Sequence, residues 1–201
     1  MSAGPQEGSA AEPTEARTLS VVAVTGGVSF PSTTRALTDL LLDKTVARLT
    51  AAGVAVDART VEIREHAQDV ATATVVGMRS EELELALKTV EQADLLVVAS
   101  PVFRGSYSGI FKSFFDLVDS LAMVDKPVLL AATGGTARHT LVIDQALRPL
   151  FSFMGDLIVP TGVFASKEDW TIELFPMPWL DERAERAVGQ LVRFADLPAA
   201  Q

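Results

Sequence analysis

The sequence predicts an α/β domain, a parallel five-stranded sheet covered by helices on both faces. Three observations carry this. Apolar runs, clearest at Leu19–Thr25, at ADLLVVASP (residues 93–101) and at KPVLLAAT (Lys126–Thr133), alternate with segments of helical periodicity. The runs are apolar nearly throughout, as in strands buried on both faces. The stretches after the first, third and fourth runs are rich in Gly, Ser, Thr and Pro, and in doubly wound sheets ligands bind beyond the carboxyl ends of the strands.

Each element has its own local reason. After Leu19–Thr25, a helix from about Thr33 to Ala52 sets Leu42, Val46 and Leu49 on one face, with Leu37 and Leu41 beside them. Gly53 suits the end of that helix. Val54, Val56 and Val61 belong to the second strand, and residues 63–78 read as a helix and a loop. Ser80 caps the next helix, with Glu81 and Glu82 in the first turn, where the macrodipole favours them, and Leu83, Leu87 and Val90 on the buried face. The third strand ends at Ser100-Pro101 and a helix runs from about Ser108 to Leu121. The fourth strand is Lys126–Thr133, a helix spans about Thr140 to Phe153, DLIVPTGVFA (residues 156–165) supplies the fifth strand, and a last helix covers about Asp181 to Phe194. Five strands so connected fit the order 2-1-3-4-5, a flavodoxin-like three-layer α/β/α fold.

Composition narrows the function. A chain of 201 residues suits one domain, expected over residues 18–201, with residues 1–17 a disordered tail rich in Gly, Pro, Ala, Ser and Glu. A net charge of −9 argues against a nucleic-acid partner and serves solubility. With no cysteine, disulfides, thiolate metal sites and cysteine nucleophiles are excluded, and redox chemistry requires a bound cofactor. Neither a signal peptide nor an apolar run long enough for a bilayer is present, so no membrane partner and a cytoplasmic location are expected. No catalytic triad, carboxylate dyad or metal cluster stands out: no catalytic residue and no metal ligand is assigned.

The loops describe a ligand. The first, GGVSFPSTT (Gly26–Thr34), lacks the P-loop lysine and the Gly-x-Gly-x-x-Gly spacing but places Ser32, Thr33 and Thr34 at a helix N-terminus, with Arg35 beside them. Such a terminus holds a phosphate monoester through amides, hydroxyls and the helix dipole; it also describes a helix cap with extra hydroxyls. The second loop has Pro101, Val102, Phe103 and Arg104, with Gly105 and Gly109, suited either to a flat ring or to a surface arginine beside a core-plugging phenylalanine. The third has Thr133, Gly134, Gly135 and Thr136, suited to the carbonyls and nitrogens of a heterocycle or to a tight turn capped by Thr136. His139 reads as a capping or packing residue and His66 as a surface one. Trp170 and Trp179 in the C-terminal stretch either cover a site or pack against core or interface. Together the loops fit FMN: phosphate at the first, ring between the second and third.

These motifs, GGVSFPSTT, ASPVFRGSYSGIFKSFFDLVD and ATGGTARHTLVIDQALRPLF, resemble the flavodoxin-like NAD(P)H-dependent FMN reductases, particularly those that supply two-component flavin monooxygenases of the alkanesulfonate type. The resemblance covers about Leu19 to Ala165. It departs at Gly27-Val28-Ser29, where relatives often have Ser-Pro-Arg, which shifts the phosphate role to Ser32 and Thr34. The resemblance implies that Pro101, Val102, Phe103 and Arg104 border the flavin and its ribityl chain, and that Thr133, Gly134, Gly135 and Thr136 border the pyrimidine edge. It further implies that Tyr107, Gly109 and Phe111 lie at an oligomer interface concerned with flavin handover, in a homodimer or homotetramer. Hydride transfer from NAD(P)H to FMN, with transient contact to a monooxygenase, is the expected activity. The rivals are an FMN-retaining reductase of quinones, azo dyes or metal oxyanions, and an electron carrier. Arg104 and Arg138 are candidates for nucleotide contacts, with no preference between NADH and NADPH readable.

Overall fold

A computed structural model describes residues 18–196; the expected N-terminal tail lies outside them. The strands are β1 (Leu19–Thr25), β2 (Val56–Glu62), β3 (Leu95–Pro101), β4 (Pro127–Thr133), β5 (Leu157–Ile158) and β6 (Val163–Ala165). The helices are α1 (Thr33–Ala51), α2 (Ala67–Val76), α3 (Glu81–Glu91), α4 (Gly109–Phe115), α5 (Arg148–Met154) and α6 (Pro178–Leu191). The sheet order is β2-β1-β3-β4-β5, with β6 also paired to β4, and every pairing is parallel. This is the predicted flavodoxin-like order.

The fifth position holds two short strands rather than one. Val128 pairs with Ile158 before the break and Ala131 with Val163 after it, so two extra residues bulge out between them. Pro160 has no N–H for the ladder, which accounts for the interruption.

Alternate strand residues face opposite layers. Val22, Val24, Leu96, Val98, Val128 and Leu130 pack with Leu83, Leu87, Phe111 and Phe151 from α3, α4 and α5. Val21, Ala23, Leu95, Val97, Leu129 and Ala131 pack with Leu37, Leu41, Ala184 and Val188 from α1 and α6. Each buried Val or Leu contributes roughly 1.5–3 kcal/mol of transfer free energy, and the two-residue period divides that gain between the faces.

Three helices differ from expectation. α4 stops at Phe115, and Asp119 starts a separate 3-10 turn by accepting from the Leu121 N–H at 2.9 Å. The stretch expected to be helical from Thr140 instead has a π-turn at Ile143–Leu147 before α5. Pro149 cannot donate to the preceding turn, so the regular α register is broken there. α6 begins three residues early, at Pro178, whose fixed φ suits a first helical position. The second strand starts at Val56 and continues to Glu62.

Candidate functional site

The first loop leaves β1 at Thr25, with the Gly26 N–H still donating to Ala99 O at 2.8 Å. Ser32 caps α1, its Oγ accepting from the Arg35 N–H at 3.2 Å. A Cβ at Gly27 would collide with Ser32 Oγ, so this close approach requires glycine. The first-turn N–H groups of a helix have no intrahelical acceptor; Ser32 satisfies that of Arg35, and no acidic side chain stands in the first turn of α1. Thr33 is exposed and Thr34 buried. Arg35 is committed elsewhere: Nε donates to Asp39 at 2.7 Å and Nη1 pairs with Glu62. Burial disfavours its charge, but these two carboxylates outweigh burial and raise its pKa. The Arg35 charge is therefore spent on its carboxylate neighbours. Farther out, Arg64 donates to Ser29 O at 3.2 Å and lies 5.5 Å from the centre of the Phe30 ring.

The second loop is fastened at both ends. Val102 N–H donates to Thr133 O at 2.8 Å. The buried Ser100 Oγ accepts from the Ser108 N–H at 3.0 Å, while Ser108 Oγ donates to Gly26 O at 3.4 Å and accepts from the Phe111 N–H to cap α4. Between them Phe103 and Ser106 exchange backbone bonds of 2.8 and 3.1 Å around a two-residue turn. Arg104 and Gly105 have φ of 52° and 83°, the left-handed pair of a type I′ turn. Pro101 and Val102 are half-buried at its base, and the turn presents Phe103, 48% exposed, together with the exposed Arg104.

In the third loop Thr133 is buried, and the Gly134 N–H donates to Ala165 O at 3.0 Å. A Cβ on Gly134 would fall 2.9 Å from Phe164 Cζ, so the ring of Phe164 fixes how low this loop lies. Gly135 and Thr136 are exposed, and Thr136 makes no capping bond with its side chain although it precedes the 3-10 turn Ala137–His139. Its hydroxyl is left to a ligand or solvent.

The three loops thus converge. Thr34 of the first and Thr133 of the third share a buried hydroxyl–hydroxyl bond of 2.6 Å. Tyr107 is half-buried, its ring 5.8 Å from that of Phe111, and Gly109 is exposed with open space where a Cβ would stand. Phe111 itself is 0% exposed and packs against Phe115 and Phe151 at 4.7 and 6.3 Å. Its ring belongs to the chain's own core and offers no surface to a second subunit. Ser100, Ser108 and Phe164 were not singled out in the sequence. A serine closing a buried strand and a serine at a helix start were the signals for the first two; nothing local marks Phe164. His139 and Arg138 are exposed, His66 is half-buried, Trp170 is buried and Trp179 is 54% exposed. No cluster of three metal-ligating side chains and no helix long and apolar enough to cross a membrane occurs among the described residues.

These residues fit FMN. One end offers hydroxyls and helix-opening amides with no acidic residue in the first turn of α1; the other offers a half-exposed phenylalanine, glycine backbone and an unused threonine hydroxyl.

Fold and loops define a doubly wound α/β protein in which three loops meet beyond the ends of β1, β3 and β4. The model of the NADPH-dependent FMN reductase family matches residues 19–171. The FMN reductase (NADPH) of Pseudomonas aeruginosa is 47% identical over 150 residues, 75% of this chain and 78% of that protein. The NADH-dependent FMN reductase SfnE of Pseudomonas putida is 48% identical over 151 residues, with the same shares. The X-ray structure of an oxidoreductase from Corynebacterium diphtheriae superposes with a TM-score of 0.82 at 39% identity, covering 88% of this chain and 96% of that one. The chain belongs to the NADPH-dependent FMN reductase family.

Proposed function

We propose that this protein moves hydride from NAD(P)H to FMN and releases the reduced flavin to a monooxygenase. The observation that carries the reading is the convergence of three loops, one of them leading into a helix whose first turn holds no acidic residue. Ser32, Thr33 and the first-turn amides of α1 hold the phosphate, where a dianion gains from the helix dipole. The buried Thr34–Thr133 bond keeps the phosphate end and the ring end at fixed spacing. Pro101, Val102 and Phe103 flank the ring, and Arg104 stands at its rim.

FMN, when bound, supplies the hydride-accepting centre. The chain's part is to orient: Phe103 excludes water from one side, and the Gly135 and Thr136 N–H groups with the Thr136 hydroxyl donate where negative charge develops on the ring. The chemistry needs close approach of the two reacting atoms, about 3–3.5 Å, rather than a general base, and none is assigned.

The working form is a homo-oligomer whose subunits meet near Tyr107 and Gly109, and its place is the cytoplasm, where nicotinamide nucleotides are at hand. The relatives' names, one citing NADPH and one NADH, support hydride transfer without fixing the donor.

The test is anaerobic oxidation of NADPH and NADH with FMN in large excess over protein. Reduction of all the flavin is expected. Reduction that stops at one flavin per subunit means a retained cofactor and a different acceptor, and absence of oxidation with both donors overturns the reading.

A further inference from the structure

Beside the third loop lies a cavity of about 430 Å³ whose lining includes none of the residues assigned above to FMN. Its size is within the range of ligand pockets, roughly 300–1,000 Å³. Ala137 and Thr140, which follow the third loop directly, form one wall, and Phe164, the ring beneath Gly134, lines it as well. The opposite wall is α6, with Trp179, Glu182, Arg183 and Arg186.

This wall has a definite construction. Ser166 begins a capping box in which its N–H and Oγ both donate to Asp169 Oδ2, at 2.6 and 2.8 Å. The other carboxylate oxygen, Oδ1, accepts from the Trp179 indole N–H at 2.5 Å. Burial alone would push the Asp169 carboxyl up, but these bonds hold it below the usual range, so it stays an anion and an acceptor. The indole of Trp179 is fixed through its one polar atom while 54% of the residue remains exposed. Arg183 Nε donates to Gly162 O at 2.9 Å, which ties α6 to the break in the fifth strand. Arg186, one turn along the helix, makes no ion pair among the described residues. An oriented aromatic plate, a guanidinium without a carboxylate partner, and Glu182 and Thr140 to bond sugar hydroxyls make up a nucleotide-binding set.

We propose that this cavity takes the adenosine-phosphate half of the nicotinamide nucleotide, with the base stacked on Trp179, a phosphate on Arg186 and a ribose hydroxyl on Glu182. The assignment rests on the reading that places the flavin ring between the second and third loops. From there the donor's nicotinamide lies over the ring while its other half crosses the third loop into the cavity. The phosphate of FMN is already provided for at α1, so a second phosphate-bearing ligand is the chemistry this cavity adds.

The experiment compares two donors: the preferred dinucleotide, and reduced nicotinamide mononucleotide, which has no adenosine half. Arg186→Ala is expected to raise KM for the dinucleotide about tenfold, the loss of one charge-assisted contact. Its kcat and the FMN Kd should stay within twofold, and kcat/KM for the mononucleotide should not change. Trp179→Ala is expected to act in the same direction. Equal effects on both donors, or an unchanged dinucleotide KM in both variants, overturn the assignment while leaving the reductase reading standing. Wild-type protein that oxidises neither donor overturns the reductase reading and this assignment with it.

Discussion

Thr34 Oγ1 and Thr133 Oγ1 lie 2.6 Å apart, both buried, one at the start of α1 and one at the end of β4. Ninety-nine positions apart in the chain, they join the first loop to the third. A Thr34→Val variant strands the partner hydroxyl in an apolar place, which costs about 1–3 kcal/mol. The double variant Thr34→Val/Thr133→Val removes both groups and should be less damaging to stability than the sum of the singles. Urea denaturation of the four proteins of this cycle measures the coupling, and flavin fluorescence titration should show weaker FMN binding in every variant.

Gly27→Ala places a methyl group on Ser32 Oγ. The cap must shift, and with it the first-turn amides. We expect FMN affinity to fall about tenfold, 1.4 kcal/mol, with little change in overall fold by circular dichroism. Gly135→Ala, where a Cβ meets no neighbour, is the matching control for stability.

Ser108 caps α4 and holds Gly26 O. Loss of a capping hydroxyl costs about 1 kcal/mol, so Ser108→Ala should lower the urea midpoint modestly. It should also loosen the second loop against the first, seen as faster amide exchange at residues 103–106.

At the opposite end of the sheet, burial pushes the Asp156 carboxyl up to about 8, although the nearby Lys126 charge works to lower it. Neither carboxylate oxygen has a hydrogen-bond partner among the described residues. Lys126, whose pKa burial lowers, donates to the carbonyls of Glu91 and Ala93 at 3.0 and 2.5 Å instead. Between about pH 4 and 8 the folded protein keeps a proton that the unfolded chain has lost, so stability falls as pH rises through that window and levels off above it. Asp156→Asn should flatten the slope and stabilise the protein at pH 8, by denaturant titration across pH 5–9. An unchanged slope would show that Asp156 ionises normally in the fold.

The order of elements was legible because continuous apolar runs bounded by loop residues mark buried strands and a 3.6-residue spacing marks helices. The interruption at Pro160 was legible in principle, yet the residues around it read as one run because Val159 and Val163 are both apolar and buried. The phenylalanines of α4 were the reverse case. Phe111, Phe114 and Phe115 are all buried, and Phe151 of α5 packs against Phe111 and Phe115. A sequence does not say which distant ring completes a cluster. The loops were found by composition, since hydroxyl and glycine residues at strand ends are local signals. What fastens them was not, because the Thr34–Thr133 and Ser108–Gly26 bonds join residues that only the sheet order brings together.

The bulge in the fifth strand has a consequence for how copies of this chain can meet. On that side the sheet's margin is made of a two-residue and a three-residue strand separated by a proline, and on the other side β2 carries Asp57, Arg59 and Glu62. Neither margin presents a long, flat, apolar row of open backbone groups on which another strand can add. Self-association through continuous β-sheet is thereby discouraged.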